Sequence, residues 1–147
     1  MPRPFKFPLQ KVLEYRAQLE DQAKQALAAA QAAHARQEAA VRNLERAREA
    51  QRREMAGPAA RDAASLWLGR NYLERLEGDL AQAVETLAQL AQDVQIRRAE
   101  LAQRAKDRKL LEKLKETQAI RHEREENRIE QAGFDEMATL RYQAPVV

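Results

Sequence analysis

Apolar residues recur along this chain in alternating steps of three and four, the repeat of a coiled-coil stripe. In the first part the stripe runs Leu9, Val12, Arg16, Leu19, Ala23, Ala26, Ala30, Ala33, Gln37, Ala40, Leu44, Ala47, Gln51 and Glu54, and ten of these fourteen positions are apolar. In the second it runs Leu66, Gly69, Leu73, Leu76, Leu80, Ala83, Leu87, Leu90, Val94, Arg97, Leu101, Arg104, Arg108 and Leu111, clean to Val94 and degraded beyond it. Gly57 and Pro58 break the pattern between the two, with the glycine able to close one helix and Asp62 or Ser65 able to cap the next. Pro8 suits the first turn of a helix. The pattern predicts an all-α fold, a long antiparallel two-helix coiled-coil hairpin with a C-terminal helical overhang. As a single domain over 1–147, it places helix 1 at about 8–56, the turn at about 57–64 and helix 2 at about 65–140.

A turn that sets Glu54 opposite Leu66 makes every later pair of stripe positions sum to 120. Small then meets large across the seam: Ala47 faces Leu73, Ala40 faces Leu80, Ala33 faces Leu87 and Ala26 faces Val94, which lets the helices lie close. Gly69 thins the seam. The same register sets Arg16 opposite Arg104 and Val12 opposite Arg108, so the open end is expected to loosen unless the arginines snorkel. Residues beyond about 115 are left without a partner in helix 1. At ~1.5 Å per residue such a helix runs roughly 70 Å, which places functional surface at two distant ends.

Composition supports a thin seam over a globular core. Among 147 residues there are only three Phe, three Tyr and one Trp, and the mean hydropathy is −0.75, while the strong helix formers Ala, Leu, Glu, Gln, Lys and Arg dominate. There is no cysteine, which excludes disulfides, thiolate metal sites and cysteine nucleophiles and suits a reducing compartment. No stretch approaches 18 apolar residues, and Met1 to Leu9 lacks a signal-peptide core, so a cytoplasmic protein is expected.

Net charge is +3, from 26 basic and 23 acidic residues, but the sign varies along the chain. Met1–Arg16 carries four basic residues against one acidic, and Arg97–Lys115 eight against three, whereas Gly57–Ile96 carries three against six. The basic run RRAELAQRAKDRK reads either as a solvated helical face or as a binding surface; interspersed carboxylates and the lack of interleaved aromatics argue against nucleic acid. Near the turn, Trp67, Leu68 and Tyr72 lie off the inner stripe, as a cover for the turn or as a partner-binding patch.

Catalytic chemistry is not legible in this chain. His34 and His122 sit in separate helices without a ligand cluster and read as solvated helical histidines. Ser65 is the sole serine and lies in a cap region, and the glycines at 57, 69, 78 and 133 form no phosphate loop. A two-helix seam also lacks the concave pocket that would desolvate a general acid or base. No catalytic residue, cofactor or metal is expected.

The opening FKFPLQKVLEYR, Phe5 to Arg16, followed by an Ala-rich helix, resembles the start of the flagellar export protein FliJ family. GRNYLERLEGDL (Gly69–Leu80), RKLLEKLKE (Arg108–Glu116) and ENRIEQAGFDEMA (Glu126–Ala138) are similar to the stretch after the turn, the basic run of the second helix and the C-terminal end of that family. The resemblance implies a non-enzymatic coiled-coil component of the flagellar type III protein export apparatus, similar in shape to the gamma-subunit stalk of rotary ATPases. It further implies binding to the export ATPase hexamer and to the membrane export-gate protein, with export chaperones as further partners. Nucleic acid is not among them, and membrane association would be peripheral, through partners at the cytoplasmic face. On that basis Arg16, Arg97, Arg98, Arg104, Arg108, Lys109, Lys113 and Lys115 are expected to meet the ATPase, and Trp67, Leu68, Tyr72 and Leu76 the gate, with Gly78 and Asp79 interrupting the second surface. Two alternatives share the shape: the stalk of a virulence type III secretion system, and a basic nucleic-acid-binding hairpin.

Overall fold

The computed structural model describes residues 3–58 and 62–142; residues 59–61, within the expected turn, lie outside them. The protein is an all-α helical hairpin of α1 (Gln10–Ala56, 47 residues) and α2 (Ala63–Tyr142, 80 residues). Neither helix contains a proline, and residues of high helix propensity fill both. Ahead of α1, Phe7 C=O accepts from Gln10 N–H at 3.1 Å, and Leu9 C=O accepts from Leu13 N–H at 2.9 Å. At its other end Gly57 N–H donates to Glu54 C=O at 3.2 Å, tightening the last turn, and this glycine has no positive φ.

The start of α2 is capped by Asp62, whose carboxylate accepts from Ser65 N–H at 2.6 Å. This is the N-cap to N3 bond that satisfies one orphan donor of the first turn. Hydrogen bonding from Ser65, through its hydroxyl and then its backbone N–H, holds the Asp62 carboxyl below the usual carboxylate range. Because the folded pKa is depressed, the cap contributes fully above the unfolded value and is lost as pH falls through the folded one. Protection of the amides in the first turn of α2, corrected for the intrinsic exchange rate, should therefore fall as pH drops through the lowered Asp62 pKa in the native chain, whereas Asp62→Ala should show the lower protection already at neutral pH.

Two compact units divide the chain: Met1–Asp21 with Gln103–Val147, here the first unit, and Gln22–Ala102, the second. In the second unit the core is Ala23, Ala30, Val41, Leu76, Leu80 and Val94, all buried. Gln51 Nε2 donates to Gly69 C=O at 3.2 Å and Gln37 Nε2 to Ala83 C=O at 3.0 Å. Both pairs sum to 120, the register expected from the stripes. Gly69 does more than thin the seam, since a Cβ there would stand 3.0 Å from Gln51 Nε2 and 3.4 Å from Met55 Cγ. The absent side chain leaves room for the glutamine to reach the opposite backbone.

The α1 stripe is wider than expected. Its centre line of Ala23, Ala30, Gln37, Leu44 and Gln51 is covered, with Ala23 and Ala30 buried, and of the two flanks it is the one carrying Leu13, Glu20 and Val41 that holds buried residues. The flank that the sequence favours is open at Val12, which is 40% exposed.

The first unit corrects the register of the open end. Arg108 does not face Val12: its guanidinium donates to the Glu20 carboxylate, with the second Nη2–Oε1 contact at 3.4 Å, and pairs with Glu112 at 2.7 Å. Arg16 pairs with Asp107 at 3.6 Å rather than facing Arg104, and Lys115 Nζ donates to Gln10 Oε1 at 2.8 Å. Carboxylate and amide partners replace the expected loosening. Glu20 is only 6% exposed, a buried charge that is tolerable because it is paired.

The overhang also starts later than the stripes imply. Residues 3–7, which precede α1, lie against α2: Phe7 is buried, the Phe5 and His122 rings sit 5.6 Å apart, His122 Nε2 lies 2.8 Å from Arg3 C=O, and Arg3 N–H donates to Glu126 Oε2 at 3.3 Å. His122 is thus a contact residue and not a solvated one. Beyond it α2 continues with every described side chain from Asn127 to Tyr142 exposed.

Candidate partner-binding surfaces

A residue that meets a partner protein needs a solvent-facing head that the fold does not already use. By that criterion the basic residues separate. In the first unit, Arg16, Arg108 and Lys115 are engaged with Asp107, with Glu20 and Glu112, and with Gln10. Hydrogen bonding to Glu20, then to Glu112, holds the Arg108 guanidinium still more firmly protonated than usual. Arg104 is half-buried. Lys109 and Lys113, one turn apart on the same face, are exposed, with Leu110 between them 68% exposed and Leu114 39% exposed.

This strip of two lysines and two leucines is an open, basic and apolar surface of the first unit. Leucines 110 and 114 were missed by stripe reasoning because they lie off the 3-4 repeat; an apolar residue off the seam and between cations is the signal that finds them. An exposed apolar group flanked by cations is suited to contact with an acidic protein surface.

In the second unit Arg97 is held by Asp93 at 3.5 Å and Glu100 at 3.3 Å. Arg98 is exposed and lines a shallow groove of about 220 Å³ with Gln31, His34 and Gln95. His34 Nδ1 lies 3.1 Å from Glu38 Oε1, one turn along the same helix. The eight basic residues therefore fall in two units, six in the first and Arg97 and Arg98 in the second, and about half serve internal pairs.

The apolar candidates of the second unit separate as well. Trp67, Leu68 and Tyr72 are 65%, 62% and 49% exposed, whereas Leu76 is 6% exposed and belongs to the seam. Leu76 cannot meet a partner while α1 covers it. At about 100° per residue, Leu68 and Tyr72 lie roughly 40° apart on one edge of α2, and Trp67 lies roughly 140° from Tyr72. The accessible patch is thus Leu68 with Tyr72, and Trp67 presents a separate face. Gly78, with nothing within 4 Å of a Cβ built on it, is open to solvent.

No cluster of His, Cys, Asp or Glu that could hold a metal occurs among the described residues, and no described helix is long and apolar enough to cross a membrane. What the arrangement can do chemically is bind: cations beside exposed leucines on one unit, an aromatic-aliphatic edge on the other.

Comparison with known protein families gives a match to the family described as Flagellar FliJ protein, over residues 5–146 of this chain. Neither curated proteins nor solved structures give a match.

Proposed function

Membership of the flagellar FliJ family, which the match over residues 5–146 establishes, makes the chain a flagellar export-related protein, and we propose that it acts there as a non-catalytic stalk. In this reading it binds the export ATPase hexamer and links it to the membrane export-gate protein, at the cytoplasmic face of the membrane and peripherally through those partners. Export chaperones are further partners.

The observation that carries the ATPase contact is the exposed strip of Lys109, Leu110, Lys113 and Leu114. Arg104 adds to the basic field of the first unit, where Arg16, Arg108 and Lys115 act mainly by holding the helices that present it; in the second unit Arg98 is a separate exposed cation and Arg97 is taken up by pairs within α2. Rim cations act chiefly on the association rate. The double charge reversal Lys109→Glu/Lys113→Glu should therefore slow binding to the purified ATPase by about tenfold at low salt, with the difference shrinking as salt rises. Unchanged association rates at low salt, with helicity intact, remove this assignment.

For the gate contact the proposal rests on Leu68 and Tyr72, with Trp67 as an adjoining face and Leu76 as a support beneath. Tyr72 is half exposed and lies off the inner stripe, so Tyr72→Asp should leave the circular dichroism spectrum and melting midpoint close to native. Binding to the isolated gate protein should fall, and with it swimming in a complementation assay. A variant that melts early, or one that binds and exports normally, defeats the assignment.

A further inference from the structure

The extended segment ahead of α1 has no part in the surfaces above, yet it is the most specifically seated non-helical stretch of the first unit. Four contacts hold it: Phe7 buried in the seam, Phe5 against the His122 ring, Arg3 C=O on His122 Nε2 and Arg3 N–H on the Glu126 carboxylate. The ring and polar contacts fall at His122 and Glu126, and on α2 Lys115, Gln118, His122 and Glu126 are all half-buried, past the point where the α1 stripe ends. The segment covers a stretch of α2 that α1 is too short to reach.

We propose that residues 3–7 are a releasable strap that sets how far α2 is ordered. Its anchoring differs in kind from the seam. Between Arg3 and Phe7 only Phe7 is buried, Phe5 is half-buried, and Arg3, Pro4 and Lys6 are exposed. Contacts that few and that close to water open at far lower cost than a packed helix pair, so the strap leaves before α1 and α2 separate. Pro4 and Pro8 favour its docked form, because each restricts its own φ and biases the residue before it toward extended backbone, which shrinks the freedom lost on docking. Pro8 and Leu9 form the turn into α1, and the strap pivots there.

The consequence falls on α2. With the strap seated, the polar stretch from Gln118 to Glu126 has a neighbour and stays helical. With it gone, the stretch becomes a continuation of the lone helix beyond Glu126, and a polar helix without packing is marginal in water. Docking of five residues thereby shifts the boundary between held and unheld helix by about two turns.

Amide hydrogen exchange of the full chain tests this with two single variants, Phe5→Ala and His122→Ala, neither of which alters the buried Phe7. Each should speed exchange between Gln118 and Ile129 by roughly two- to tenfold, the range expected for loss of one aromatic contact. The second unit, Gln22–Ala102, should exchange as in the native chain, and the double variant should add little to either single one, since one opened strap cannot open twice. Native exchange over Gln118–Ile129 in both variants overturns the strap. An increase spread equally over both units also overturns it, by making these residues part of the global fold.

Discussion

Truncating Leu80 to alanine should cost the hairpin about 2–3 kcal/mol, toward the low end of the range for buried leucines because a two-helix seam can partly close on a void. Leu80 is 8% exposed, and the register marked by Gln37 on Ala83 brings Ala40 opposite it. A methyl group cannot reach across to fill the space that the larger side chain leaves. Leu80→Met, which nearly conserves volume, should recover most of the loss. Leu110→Ala supplies the contrast: at 68% exposure it should change stability by no more than about 0.5 kcal/mol. Urea unfolding followed by circular dichroism measures all three. Equal effects of Leu80→Ala and Leu110→Ala would refute the seam as drawn.

The second large effect lies at Glu20. Replacing it with alanine strips the buried partner from Arg108 and leaves the guanidinium with Glu112 alone. The melting midpoint should fall by roughly 5 °C. Arg108→Ala should also destabilise the chain, since it takes the guanidinium away from a carboxylate that is 6% exposed, and removing one member of a buried pair is worse than removing both. The double variant Glu20→Leu/Arg108→Leu should accordingly melt closer to the native chain than either alanine variant. A double-mutant cycle with no coupling would show that the two charges act independently. The same geometry explains why Arg108 is a poor probe of partner binding: reversing it disturbs the helix pair before it reports on any interface.

Much of this was legible in the residues. The break between the two helices follows from Gly57 and Pro58, while the sequence leaves the cap of the second helix to Asp62 or Ser65 and the structure gives it to Asp62. The register of the second unit follows from the phase of two stripes, because a 3-4 repeat on each helix admits few ways of setting small residues against large ones. The exposure of Trp67, Leu68 and Tyr72 follows from their place off the stripe. Leu76 was assigned to two roles at once, seam and contact, and only burial separates them.

The misreadings share one cause. An alanine-rich helix carries apolar residues on more than one side of its stripe, so Val12, Leu19 and Ala40 compete with Leu13, Glu20 and Val41, and periodicity weighs them alike. A straight helix also drifts by about 20° per heptad against a 3.5 repeat, so a phase that is right near Gln51 need not be right near Glu20. Glu20 itself gives no sign of burial, since a glutamate next to a leucine reads as solvated face. His122 is likewise silent: nothing near it predicts that a segment more than a hundred positions earlier would lie across it.

The family and the helical hairpin were therefore settled by the sequence, through propensity, periodicity and the punctuation of Gly and Pro, all of them local in the chain. Which flank of α1 is buried, which cations are engaged within the fold and which stay exposed, and where the overhang begins were settled only by the tertiary structure. Each depends on what lies opposite across the seam, and that is a property of two segments brought together, written in neither of them alone.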